Sequence, residues 1–138
     1  MTRALLIPVD DVPRPVDVDE LEDLQRLVEG NIGCANWVFG PDSGITVYLN
    51  DEGKFNQPPN RAVFADRDGT RWDGAPIHVG DVLDILHGPI VCIGDDGEGG
   101  DTDLTDEQVE VVEKRFGADT IDSGFLAQIG LRLIAKCG

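Results

Sequence analysis

Basic residues are scarce in this sequence. Only 11 of its 138 residues are lysine or arginine, against 27 aspartates and glutamates, so the formal net charge at pH 7 is −16. Direct binding to nucleic acid or to an anionic membrane is therefore disfavoured, because phosphate binding needs a basic patch. The acidity permits three alternatives: solubility in a host whose whole proteome is acid-rich, a basic partner protein, or cation binding.

Long apolar runs are also missing, and none approaches the roughly 20 residues that span a bilayer. The N-terminal stretch 1–8 carries one arginine and a short apolar run, which is too short for the apolar core of a secretory signal. We interpret this stretch as a first strand. We expect a cytoplasmic protein with no membrane contact.

Cysteine is sparse as well. Cys34, Cys92 and Cys137 lie far apart and form no CxxC pair, so neither a zinc site nor a thioredoxin-like site is indicated. The apolar neighbours of Cys34 and Cys92 predict that both are buried small hydrophobes. Unpaired cysteines also fit the cytosol.

The length and the apolar content predict one domain over residues 1–138. A chain of this length usually forms a single domain, and its 41% hydrophobic content is enough for a core. The pattern of elements predicts an α+β fold, in which a small mixed or antiparallel sheet is packed by two or three helices. The predicted helices cover residues 18–29, 106–116 and 124–136.

The helix at 18–29 is indicated by an apolar stripe. Asp17 or Asp19 can cap its start, and Gly30 provides its end. The stripe consists of Leu21, Leu24, Leu27 and Val28.

The helix at 106–116 has the clearest local signals. Thr105 is placed to cap it, and Gln108 at the third helical position completes a capping box. Val109, Val112 and Phe116 form its predicted buried stripe. Residues 124–136 are amphipathic at helical spacing, but their apolar residues also alternate as in a strand, so both structures stay open there.

Short apolar runs predict the strands. An edge strand is expected at residues 3–7, a loop at 9–16 and an exposed loop at 94–103, while 55–60 is expected to be neither helix nor central strand. The runs 82–86 and 90–93 are separated by three residues, which predicts a pair of strands joined by a tight turn. Other predicted strands are 32–39, 45–50 and 61–65.

Several short segments occur in an order that resembles a known family. They are residues 21–30, with the helix and its glycine; 47–54, with an Asn-x-Glu-Gly turn; 59–62, with a Pro-Asn-Arg step; 80–82; 90–94; and 104–109 with Phe116. Together they place the resemblance over about residues 1–117. The family is a small uncharacterised domain of unknown function that is common in phages, plasmids and other mobile elements. The resemblance implies an α+β fold and a mobile-element origin, and it implies no catalytic residue. If a phage encodes the protein, we expect it in the cytoplasm of the host cell.

Two groups of residues are candidates for metal binding or catalysis. The glycine-acid loop at 94–103 resembles a calcium loop in composition, but glycines occupy ligand positions and the twelfth position is Asp106 rather than glutamate. His78 and His87 are candidate bases or ligands, yet neither has a partner at metal spacing or a nucleophile motif. We therefore predict no catalytic residue, no cofactor and no metal ligand.

The placement of the acids is the most informative feature. Residues 95–113 hold nine acids and no base, and a second acidic cluster covers residues 17–23. If folding brings the two together, they form an extended anionic face. Carboxylates along the helix repeat every ~5–6 Å, a sparser version of the phosphates on DNA, which follow at about 3.4 Å. The nine acids are Asp95, Asp96, Glu98, Asp101, Asp103, Asp106, Glu107, Glu110 and Glu113.

These observations lead to a hypothesis of a non-enzymatic mobile-element accessory protein. It would bind a basic or nucleic-acid-binding protein through the nine acids, in one version by mimicking DNA toward a nuclease or restriction enzyme. The alternatives are a module for a small ligand or divalent cation, an enzyme of unrecognised type around His78 and His87, and an acidic domain with no charge-specific role. A homodimer stays open.

Overall fold

The computed structural model describes residues 2–40, 42–65, 67–71 and 73–117. The predicted α+β class is confirmed, because antiparallel strands form the sheets and helices pack against them. The segment 124–136 and Cys137 lie outside the described residues.

The described residues form three helices and ten strands. The helices are α1 (Leu21–Val28), α2 (Gly53–Asn56) and α3 (Asp106–Phe116). The strands are β1 (Thr2–Ile7), β2 (Arg14–Val18), β3 (Ile32–Cys34), β4 (Ile45–Asn50), β5 (Pro59–Phe64), β6 (Gly69–Thr70), β7 (Pro76–Ile77), β8 (Val82–His87), β9 (Ile90–Asp95) and β10 (Asp101–Thr102).

The main sheet has the strand order β2-β1-β9-β4-β3, and the short β10 pairs with the end of β9. All of these pairs are antiparallel. β5 and β8 form a separate two-stranded sheet, and β6 and β7 form a small hairpin. The predicted loop at 94–103 is therefore partly paired, since Asp101 faces Asp95 and Thr102 faces Gly94.

The main sheet is covered on both faces, which makes three layers. On one face, Ala4 and Leu6 pack with α1 through Leu24 and Val28. On the other face, alternate strand residues such as Leu5 pack with α3 and with the β5–β8 sheet. Because successive strand residues point to opposite faces, β1 serves both cores at once. Each fully buried large side chain stabilises the fold by roughly 1.5–3 kcal/mol relative to exposure.

The prediction of β1 as an edge strand is wrong. β1 lies between β2 and β9, and its residues from Ala4 to Ile7 are all buried. The partner that covers it, β2, falls in residues that were predicted as loop and helix start. Pro13 and Pro15 break the alternating pattern by which a strand is recognised in the sequence. Among the described residues β2 pairs only with β1, and prolines are tolerated on such an edge.

The predicted hairpin of residues 82–86 and 90–93 is also wrong. β8 pairs with β5, while β9 pairs with β1 and β4. The three-residue connection carries the chain from one sheet to the other. Within it, Gly88 has a φ of +73°, and its amide donates a hydrogen bond to the carbonyl of Pro58. β9 is buried on both faces from Ile90 to Gly94, as a central strand must be.

Residues 55–60 contain more regular structure than predicted. α2 makes a single turn that ends at Asn56, and β5 begins at Pro59. A proline is acceptable as the first residue of a strand. Of the predicted strand at 32–39, only β3 and a 3₁₀ turn at Asn36–Val38 form.

α1 begins at Leu21, three residues later than predicted, because Asp17 and Val18 belong to β2. Neither Asp17 nor Asp19 caps it. Instead, the carboxylate of Asp23 accepts hydrogen bonds from the backbone amides of Asp19 and Glu20 at 2.9 and 3.1 Å. At the other end, the side-chain amide of Asn50 donates to the carbonyls of Val28 and Glu29. These carbonyls have no hydrogen-bond donor within the helix, so Asn50 supplies one.

α3 confirms its prediction. Thr105 Oγ1 accepts from the amide of Gln108, and Gln108 Oε1 accepts from the amide of Thr105. Val112 and Phe116 are fully buried, with Val109 partly buried beside them. This helix was predictable because its signals are local.

Arg61 is completely buried and links β5 to the loop after β1 and to the end of α3. Its guanidinium donates to Asn60 Oδ1 at 2.6 Å, to the carbonyl of Phe116 at 3.1 Å, and also to the carbonyls of Asp11, Pro8 and Asn60. Asn60 itself donates to the carbonyls of Ile7 and Gly88. We call Asn60 and Arg61 the buried clasp, since they tie β5 to β1, to the loop after β1, to the β8–β9 turn and to the end of α3.

Candidate partner-binding surface

The loop that joins β9 to β10 is held by its own carboxylates. Asp95 accepts from the amide of Gly97 at 2.9 Å, and Asp96 accepts from the amides of Glu98 and Gly100 at 2.7 and 3.0 Å. These backbone hydrogen bonds lower the pKa of Asp96. The loop is therefore a set of tight turns built from acids.

Arg3 supplies the positive charge that the acidic stretch 95–113 lacks in sequence. Its backbone amide donates to Asp103 at 2.7 Å, and its guanidinium donates to Asp106 at 2.8 Å. Asp17 of β2 stands directly opposite Arg3 in the sheet. Arg3 therefore lies where the two acidic clusters meet.

A groove of about 250 Å³ runs between α1 and β10, and acids from both clusters line it. Asp19 and Glu20 come from the start of α1, and Asp101 comes from β10. The floor is apolar and includes Val18, Leu24 and Ile93. The groove therefore brings Asp19 and Glu20 of the second acidic cluster beside Asp101 of the first.

Tyr48 bridges this groove from β4. Its hydroxyl donates to Asp101 at 2.9 Å. Burial and the neighbouring Asp101 carboxylate raise the pKa of Tyr48, so the phenol stays protonated and keeps donating. Sequence reasoning missed both Arg3 and Tyr48 as parts of this region, because no local motif joins residues so far apart in the chain.

Some of the acids stabilise the helix starts. The backbone amides of Asp19 and Glu20 lower the pKa of Asp23, and Arg26 contributes less through a contact of 3.1 Å. Asp106 and Glu107 occupy the first turn of α3, where negative charge is favoured. The N-termini of α1 and α3 both adjoin the β10 end of the sheet, and this shared placement concentrates acids there.

The nine predicted site residues fall into two groups. Asp101, Asp103 and Asp106 join the second cluster through the groove and Arg3. The others extend outward from this junction along the loop and along α3, and all nine are exposed except Asp95, which is partly buried. We call the nine residues, together with the acids of 17–23, the acidic surface.

The two histidines lie elsewhere. His78 is exposed, and His87 is partly buried with Nδ1 placed 2.9 Å from the carbonyl of Gln57. Asp84, three residues before His87 in the chain, pairs with Lys54 at 2.6 Å. Within the described ranges, no group of three histidine, cysteine, aspartate or glutamate side chains is arranged to hold a metal ion.

The prediction for the cysteines is half right. Cys92 is fully buried in β9, and burial raises the pKa of its thiol. Cys34 is exposed, so the prediction that it is buried is wrong. It lies at the end of the edge strand β3, and partial desolvation of the exposed side chain, with a smaller contribution from Asp101, raises the pKa of Cys34 as well.

Comparison with family models identifies a match over residues 1–117 to a domain of unknown function. The chain belongs to the DUF3846 family. Neither curated proteins nor solved structures give a significant match. None of the helices in the described part of this DUF3846 chain is long and apolar enough to cross a membrane.

The segments that carry the resemblance have structural roles in this DUF3846 domain. Asn50 holds the end of α1, and a side chain at Gly30 would collide with Asn50 at 2.5 Å. The Pro-Asn-Arg step forms the buried clasp around Arg61. Asn50, Gly30 and the buried clasp therefore stabilise the fold.

Proposed function

We propose that this DUF3846 protein is a non-enzymatic accessory protein that binds a basic partner through its acidic surface. The observation that carries the proposal is the junction at β10. There Asp101 shares a groove with Asp19 and Glu20, while Arg3 joins Asp103 and Asp106 to the strand that carries Asp17. Two clusters that are separate in sequence thus become one anionic region.

The geometry supports binding because the carboxylates are fixed before a partner arrives. Asp96 and Asp101 are held by backbone amides and by Tyr48. A charge held in place loses less side-chain entropy on binding than a mobile one. A surface of this sign also attracts a basic partner from a distance and orients it.

The specific form that we propose is mimicry of DNA. The exposed acids along α3 form a line of negative charge that is sparser than the phosphates of DNA but of the same kind, and the partner would be a basic nuclease, restriction enzyme or DNA-binding factor of the host. If a phage or plasmid encodes the protein, inhibition of host nucleases would protect the DNA of that mobile element.

A capture experiment tests the proposal. The full chain is immobilised and exposed to host lysate at about 0.05 M and about 0.5 M salt, because screening weakens contacts between exposed charges. We expect capture of a basic, nucleic-acid-binding protein at low salt and its loss at high salt. Added duplex DNA should displace the captured protein. If no such protein is captured at low salt, the proposal is wrong.

Matched variants assign the binding to the surface. In the acid variant, Glu22→Gln, Glu98→Gln and Glu107→Gln neutralise one exposed acid each on α1, the β9–β10 loop and α3. In the control variant, Glu29→Gln, Glu52→Gln and Asp73→Asn neutralise three exposed acids outside the acidic surface. Both variants change the net charge equally. Only the acid variant should lose capture.

A titration with cations separates the main alternative. If the 94–103 loop bound calcium or magnesium, the cation would raise the melting temperature of the protein. Our proposal expects no rise, because Asp95 and Asp96 already accept hydrogen bonds from the amides of the loop.

A further inference from the structure

The groove between α1 and β10, which we call the α1–β10 groove, contains more apolar surface than the rest of the acidic surface. Val18, Leu24 and Ile93 on its floor are buried. Leu21, the first residue of α1, also lines the groove and is 54% exposed, so apolar surface extends from the buried floor to the solvent. A leucine exposed in this way gains by leaving water when another molecule covers it.

Carboxylates from two parts of the chain line the same groove. Glu20 comes from the start of α1 and Asp101 from β10, and both are exposed. The Tyr48 hydroxyl donates to Asp101 Oδ1 at 2.9 Å, which holds this carboxylate close to the phenol of Tyr48. The groove therefore presents negative charge next to apolar and aromatic surface.

This combination favours a cation that carries an apolar stem. The carboxylates would repel an anion, and a metal ion would gain nothing from an apolar floor, since hard cations need oxygen ligands. No group of three metal-ligating side chains is arranged to hold a metal ion in the part of the chain that the structure describes. Lysine and arginine fit both features, because they bury their methylene stems on apolar surface and keep the charge at its edge.

The size of the groove and its aromatic residue favour a single arginine. Pockets for drug-sized ligands usually enclose about 300–1,000 Å³, and this groove of about 250 Å³ is smaller, as suits one side chain. A guanidinium is planar and less strongly hydrated than an ammonium, and it can stack on an aromatic ring while it donates to a carboxylate. Tyr48 and Asp101, which are in hydrogen-bond contact, provide the ring and the carboxylate.

We propose that the α1–β10 groove binds one arginine side chain of the partner, with its stem against Leu21 and the apolar floor and its guanidinium at Asp101 beside Tyr48. The inference rests on the proposed function, because it names a contact that a basic partner makes with the acidic surface. The other acids surround this contact and steer the partner toward it.

An NMR titration of the isotope-labelled full chain with N-acetyl-arginine amide tests the proposal without the partner. The expected result is a saturable shift of the backbone amides of Thr2, Tyr48 and Asp101, all of which line the groove. For a single side chain we expect a dissociation constant on the order of millimolar. N-acetyl-citrulline amide has nearly the same shape without the charge and should give no saturable shift. Nα-acetyl-lysine amide should bind roughly threefold more weakly or worse, because an ammonium lacks the planar stacking group.

Asp101→Asn removes the charge in the groove and keeps an oxygen that can accept from Tyr48. It should weaken binding of the arginine probe roughly fivefold or more, because hydrogen bonds to a charged acceptor are stronger than neutral ones. Asp103→Asn is the matched control, since Asp103 is an exposed acid of the same stretch and lies outside the described lining of the groove. The control should bind the probe like wild type.

Three results would overturn the proposal: equal binding of the citrulline probe, tighter binding of the lysine probe, or unchanged binding by Asp101→Asn. Shifts that are as large at the acids of α3 as in the groove would overturn it too. In each of these cases the proposed function stands or falls separately, because partner capture is measured in lysate. If the groove binds the arginine probe and no partner is captured, the arginine site is supported and the proposed function is wrong.

Discussion

The buried clasp and the acidic surface are two places where polar groups concentrate, and they differ in how those groups are satisfied. Arg61 is fully buried, and its guanidinium donates to backbone carbonyls and to Asn60. On the acidic surface, Asp96 and Asp23 accept backbone amides, while most of the other carboxylates face solvent. The first region is committed to stability, and the second leaves most of its charge exposed to solvent.

This difference explains why the family motif is a poor guide to function. The Pro-Asn-Arg step is the most conspicuous polar motif in the sequence, yet it lies inside the fold. Burial lowers the pKa of Arg61, and the charges of Asp10 and Asp11 oppose that shift. A buried cation held mostly by carbonyls is a structural device, with the negative end of α3 contributing through Phe116.

The largest expected effect is on the clasp. Arg61→Ala should lower the free energy of unfolding by about 3 kcal/mol or more, because it leaves several buried carbonyls without a donor. Urea denaturation measures it. Arg14→Ala, at an exposed position of β2, is the control and should stay within about 0.5 kcal/mol of wild type. Equal effects of the two substitutions would show that the clasp is not special.

A smaller effect is expected at the start of α3. Thr105→Ala removes the oxygen that accepts from Gln108 and should cost about 1 kcal/mol. Thr105→Ser keeps that oxygen and should behave like wild type in the same denaturation experiment. Because α3 carries part of the acidic surface, a loss of stability without loss of partner capture would separate helix stability from binding.

The smallest expected effect concerns acid pH. Backbone hydrogen bonds lower the pKa of Asp96 below its usual 3.8, so its contribution is present above that value and is lost as the pH falls through the lower, folded value. Asp96→Asn should therefore flatten the dependence of the melting temperature on pH in this acid range. Asp68→Asn, at an exposed position outside the acidic surface, is the control. A steeper dependence of the melting temperature on pH in Asp96→Asn would contradict a lowered pKa of Asp96 in the folded protein.

Local signals were predictable from the sequence, and long-range pairings were not. The capping box of Thr105 and Gln108 lies within four residues, and it is confirmed. The hairpin expected around residues 87–89 is wrong, because nothing near Gly88 shows that β8 and β9 enter different sheets. The strand β2 was missed because prolines break its pattern while its pairing with β1 is set by tertiary contacts.

The candidate surface was predictable in part for the same reason. The nine acids could be identified from the sequence. Their distance in space from the acids of 17–23 could not, because it depends on the fold. Arg3 reaches Asp103 across 100 residues of sequence, and Tyr48 reaches Asp101 across 53. No local pattern contains either contact, and these contacts mark where the two clusters join.

The most direct test of partner binding is a titration of the captured partner with wild type, the acid variant and the control variant over a range of salt. We predict that the acid variant binds about tenfold or more weakly at low salt and shows a shallower salt dependence, because fewer charge contacts remain to be screened. The control variant should match wild type in both respects. Equal binding by the acid and control variants would show that total charge, and not the acidic surface, determines the interaction.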